Sequence, residues 1–259
     1  MQRARRLASI AVVTVAGLLA LAGCRTDPAV AAYVGSQRYT EDQVTQIYDE
    51  LHARVLEAVR TQTQQQGQGQ PAASPSPVPD KVELPVTRQE VVAALIGRDV
   101  LKAVAGKQGI AKAELPASEL VQLRGLPASA ADTEFARVWA EHEGYRLALR
   151  EGVSGRTPTE TELRALFDRL VEGGRFDAAQ LPFAQFASSL NDEDRQYVGR
   201  LMALRDAVEA EVRAGDIVVN PRYGQAELVV DSFQDQARKL RPLLGVPLET
   251  KEPAVRDAA

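Results

Sequence analysis

The sequence of 259 residues predicts a mainly α protein with a small β element, on three observations. Alanine, valine, leucine, arginine and glutamate dominate while aromatics make up only 5%, a composition that favours helices. Several apolar runs recur at helical spacing behind polar starts of the capping-box kind. Strongly β-forming residues, in contrast, concentrate in short stretches near the two ends.

The chain opens with Arg3, Arg5 and Arg6, then an apolar run from Ile10 to Leu21, the charge-then-apolar order of a secretory signal peptide. The run closes on Leu21, Ala22, Gly23 and Cys24, the sole cysteine, and this tetrad resembles a bacterial lipobox. That resemblance implies cleavage after residue 23 and a diacylglyceryl group on the Cys24 thiol. A spanning anchor is the competing reading. The uncharged stretch Leu7–Gly23 holds 17 residues, including Ser9, Thr14 and Gly17, at the short limit of the roughly 17–25 that cross a bilayer. The expected location is therefore the extracytoplasmic face of the cell membrane, held there by a lipid anchor.

Ala31–Thr40 reads as two short strands about Gly35-Ser36. Thr40 with Gln43 opens a helix over about Glu41–Arg60, with Val44, Ile47, Leu51 and Val55 on one face. Residues 61–86, rich in Gln, Pro, Ser and Gly, read as a flexible surface insertion. Thr87 and Glu90 start a second helix that Gly106 and Gly109 stop, and a shorter one follows Pro116. Between Asp132 and Arg150, Phe135, Val138, Trp139, His142, Tyr145 and Leu149 share a face, so His142 is expected to be a packed core residue. Thr157, Pro158 and Glu160 supply the cap, first position and third position of a helix ending at Gly173-Gly174. Phe176, Leu181, Phe183 and Phe186 then fall in a loop-like stretch, either plugging the core or forming an exposed aromatic lip. The acidic cluster Asn191–Asp194 caps a long helix that Gly215 closes. Residues 216–220 and 227–231 read as a strand pair around Pro221–Gly224, sharing a sheet with the first hairpin, and 244–259 as a disordered tail.

Composition excludes several chemistries. Beyond the signal, 28 basic residues face 35 acidic ones, a balance of −7 that does not seek nucleic acid. With Cys24 lipidated and only two histidines, no metal site or cofactor is expected. Gly152-Val153-Ser154-Gly155 lacks the pattern of a nucleophile elbow, and Gly67, Gly69 and Ala72 follow no strand, so neither hydrolase nor nucleotide site is read there.

Four stretches carry a family resemblance. Val30–Val44, Thr87–Ile110, Thr157–Asp168 and Val218–Gly224 follow the order of the N-terminal chaperone module of SurA and of the foldase lipoprotein PrsA. The resemblance implies a helical SurA-N-like domain over 24–243, its small sheet formed by N- and C-terminal hairpins. It also implies binding of unfolded or exported polypeptides, for which Phe176, Phe183 and Phe186 are the candidate contacts. Only Arg175–Asn191 stands where relatives carry a parvulin isomerase domain, and a domain needs about 50 residues. No enzyme activity is expected. The expectation is a chaperone-like lipoprotein; the alternative is a non-enzymatic scaffold for an envelope complex.

Overall fold

The computed structural model describes residues 29–67, 83–224, 226–235, 237 and 240–248. Among them the protein is mainly helical with little sheet, as composition and capping predict. Strands β1 (Val30–Val34) and β2 (Gln37–Thr40) form the expected hairpin, paired from Val34↔Gln37 to Val30↔Thr40. Helix α1 (Glu41–Gly67) follows directly, because Thr40 Oγ1 accepts from the Gln43 amide at 3.1 Å and Gln43 Oε1 accepts from the Thr40 amide at 2.9 Å. Val44, Ile47, Leu51 and Val55 are its buried face.

The expected insertion shrinks at both ends. Residues 61–67 continue α1, since glutamine is a fair helix former, and Val86 is packed into the core at 1% exposure. Its remainder, 68–82, lies outside the described residues.

Helix α2 (Arg88–Gln108) begins at the expected Thr87–Glu90 capping box and ends one turn later than its first glycine suggests. Gly109 takes a left-handed φ of 67°, where a side chain would be strained, and Gly106 stays helical. After α3 (Ala117–Leu123) and a 3-10 turn at Ala128–Asp132 comes α4 (Glu134–Gly152), capped by Thr133. Helix α4 is the hub of the body, packing on α1, α2, α3 and on α7 (Asp192–Ala214).

Helix α5 (Glu160–Glu172) is capped two residues later than expected, by Thr159 and Glu162. Both threonine registers satisfy the motif; Glu162 decides between them, since its carboxylate also receives Arg156 Nη1 at 2.8 Å and Arg205 Nη2 at 2.9 Å. The Arg156 hydrogen bond holds this carboxyl well below the usual range. Where a loop was expected, Phe183–Ser189 forms a short helix, α6. Helix α7 has the expected Asn191–Asp194 box and ends at Gly215.

The two ends do share a sheet, but not through a C-terminal strand pair around Pro221. Strand β3 (Val218–Val219) pairs with β1 through Ala32↔Val219 and Tyr33↔Val218, giving the order β2-β1-β3. Asn220 fastens the junction, its amide and its Nδ2 donating to the Ala31 and Val30 carbonyls at 2.9 Å each. Strand β4 (Glu227–Gln234) instead pairs with β5 (Leu240–Pro247) in a separate two-stranded sheet. That strand overturns the disordered-tail boundary at 244: Leu243, Leu244, Val246 and Leu248 are buried, with Pro242 and Pro247 tolerated on an edge strand. Residues 249–259 are outside the described set.

Candidate functional site

The expected lipobox residues Leu21, Ala22, Gly23 and Cys24 lie outside the described residues. No described helix is long and apolar enough to cross a membrane, and no group of three His, Cys, Asp or Glu side chains among the described residues suits a metal ion.

Phe176, Phe183 and Phe186 are brought together, but inward. Phe186 is 6% exposed, and its ring centroid lies 5.3 Å from Phe167 and 5.8 Å from Phe176. Phe183 meets Phe167 edge-on at 5.8 Å while the Arg164 guanidinium covers its face at 4.0 Å. Folding of α6 is the reason for two of them: once helical, the segment lays Phe183 and Phe186 against Phe167 of α5, and Phe176, in the loop before it, packs on Phe186. Phe186 is buried and Phe176 and Phe183 are half-buried against the core, so the three do not stand out as an exposed aromatic lip.

The apolar surface that is open lies elsewhere. A cavity of about 310 Å³, mostly apolar in lining, opens between α3, α4 and the β4–β5 hairpin, with Leu120, Trp139, Val229 and Pro242 on its walls. Leu123 stands at its mouth, 82% exposed, the one large exposed hydrophobic side chain among the described residues. Arg124 roofs Trp139 at 4.1 Å from the ring centroid and is held by Glu90 Oε1 at 2.8 Å from its Nη1. A second cleft of about 710 Å³ between loop 152–158 and α7 is lined by Arg156, Arg195 and Arg200 and has more polar walls.

The first cavity adjoins a buried charge network. His142, 6% exposed, stacks on Trp139 at 5.3 Å, as a core histidine should, and its Nδ1 lies 3.2 Å from Glu143 Oε1. Gly97 on α2 makes room for that ring, because a Cβ there would come within 2.6 Å of His142 Cδ2. Arg146 Nε donates to Glu143 Oε2 at 2.9 Å, and its Nη1 reaches Asp231 Oδ1 at 3.3 Å. Asp231, 3% exposed, also accepts from the Tyr197 hydroxyl at 2.9 Å and faces Arg150 Nη1 at 3.7 Å. Burial, then Asp231, pushes the Tyr197 hydroxyl up.

Sequence reading missed this network. Glu143 and Arg146 are an i,i+3 pair, and Asp231 is the only charge between Leu228 and Phe233, a lone carboxylate inside a β run. A buried charge in that position demands cationic partners, which is the signal that was available.

Burial alone would raise the Glu143 carboxyl, but the His142 hydrogen bond and the Arg146 charge outweigh it and bring it to about 2 from an ordinary 4.5. Its contribution to stability is therefore complete above pH 4.5 and lost as pH falls toward 2. Acid unfolding of the wild type is expected to steepen in that window relative to Glu143→Gln; parallel curves would remove the linkage.

Comparison with known proteins identifies no relative: no protein-family model, no curated protein and no solved structure matches the chain.

Proposed function

We propose that the protein is a membrane-anchored, extracytoplasmic chaperone-like lipoprotein that binds unfolded or exported polypeptides and has no isomerase activity. The observation that carries the reading is the apolar cavity walled by Leu120 and Trp139 with Leu123 exposed at its mouth. Its volume of about 310 Å³ suits one or two apolar side chains of an extended segment rather than a docked helix. Burying apolar area gains about 25 cal/mol per Å² whatever the client's sequence, so such a cleft recognises unfoldedness rather than identity. The lipobox at Leu21–Cys24 supports tethering where exported chains emerge, and no cofactor takes part.

Leu123→Asp tests the reading at little risk to the fold, since the side chain is already in solvent. Burying a leucine contributes about 1.5–3 kcal/mol, so affinity for a permanently unfolded probe, reduced and carboxymethylated lactalbumin, is expected to fall roughly tenfold or more. Unchanged affinity would detach client binding from this cleft. Stoichiometric capture of one folded envelope protein with no binding of the unfolded probe would favour a scaffold instead.

A further inference from the structure

The β4–β5 hairpin is attached to the body differently from every other strand. Strand β3 is built into a sheet by backbone hydrogen bonds to β1, whereas β4 and β5 pair only with each other. Among the described residues no backbone hydrogen bond joins either strand to another element. Side chains alone hold it: Leu228, Val230, Leu243, Leu244, Val246 and Leu248 enter the core, β4 against α2 and α7 and β5 against α5 and α7. Two ionic latches add to them, Asp231 on Arg146, Arg150 and Tyr197, and Glu227 on Arg169 at 3.2 Å. A two-stranded hairpin is marginal without such packing, and a unit without shared backbone bonds can leave as one piece.

We infer that this hairpin is a built-in surrogate client: it fills the polypeptide-binding groove, and an extended apolar segment of an unfolded chain binds by displacing it. The inference rests on the chaperone reading and names where and how a client binds. The present occupant defines the chemistry of its replacement. Residues 242–248 are extended and uncharged, Pro-Leu-Leu-Gly-Val-Pro-Leu, the character of an unfolded exported segment. The cavity beside Leu123 is the open end of the same seat, since Val229 and Pro242 form part of its wall. Charge narrows the choice further. When Asp231 leaves, Arg146 keeps Glu143 as a partner, but Arg150 and Tyr197 lose the carboxylate they face. The groove therefore favours apolar segments carrying one acidic residue over those carrying a basic one.

The test uses the full mature chain in a Cys24→Ser background, with carboxymethylated lactalbumin as probe. Arg169→Cys and Glu227→Cys, joined by a short bismaleimide, pin the hairpin to α5; binding is expected to vanish on bridging and to persist in the unbridged pair. Asp231→Asn weakens the other latch and is expected to bind about tenfold more tightly, because a larger share of molecules has an open groove. Hydrogen exchange reports the mechanism independently: client binding is expected to accelerate exchange of amides 240–248 while α2 keeps its protection. A peptide copying Glu227–Gln234 is expected to compete with the probe better than the same peptide with lysine at the aspartate. Equal binding by bridged and unbridged protein, or protected 240–248 amides in the complex, overturns the displacement while leaving the chaperone reading standing. Absence of binding by both wild type and Asp231→Asn overturns both.

Discussion

Phe135→Ala is expected to lower stability by about 3–5 kcal/mol, the usual range for emptying an aromatic site in a packed core. The ring is 1% exposed and stacks at 6.2 Å on Trp139, in the first turn of the helix that touches α1, α2, α3 and α7. Relaxation into the cavity would require several helices to move at once, so the cost belongs near the upper end. For a domain of this size the midpoint of thermal unfolding is expected to fall by about 6–20 °C. A fall of only a degree or two would show that α4 is not the hub of the core.

Cys24→Ala is expected to have the largest effect on location. Each buried methylene contributes about 0.8 kcal/mol and a single acyl chain holds only marginally, so two or three chains on one cysteine make the difference between a tethered and a free protein. The variant is expected to take up no labelled fatty acid and to keep its full-length precursor mass. Continued incorporation of label would place the lipid elsewhere and remove the anchor from Cys24.

Helices were legible where side chains close on the backbone locally. Thr87–Glu90 and Asn191–Asp194 are read from four residues and are present as capping boxes. Ambiguity arose when two local solutions overlapped, as at Thr157 and Thr159, because Arg156 and Arg205, one of them distant in sequence, select Glu162. The last strand was hidden by its own composition: Pro242, Gly245 and Pro247 look like breakers until β4 supplies a partner, after which Leu244 and Val246 pack. The phenylalanines misled for the opposite reason. Phe183 and Phe186 have no long periodic run around them, and the seven-residue helix that buries Phe186 and half-buries Phe183 is stabilised by α5 rather than by its own sequence.

The candidate site was less legible than the fold because its parts are far apart. Leu120 and Leu123, Trp139 and His142, and Val229 with Pro242 come from four elements, and no local pattern announces that they meet. The sequence suggested a compartment and a class of client only through a resemblance, and the cleft and its charged neighbours had to be assembled in space.

The most direct measurement is suppression of aggregation by residues 25–259, the expected mature chain without its lipidated cysteine, against several unrelated denatured clients, run beside a proline-isomerase assay. Suppression of all of them near stoichiometric amounts, with no isomerisation, is the expected result. No suppression of any client, or acceleration of proline isomerisation, would contradict a holdase-like role.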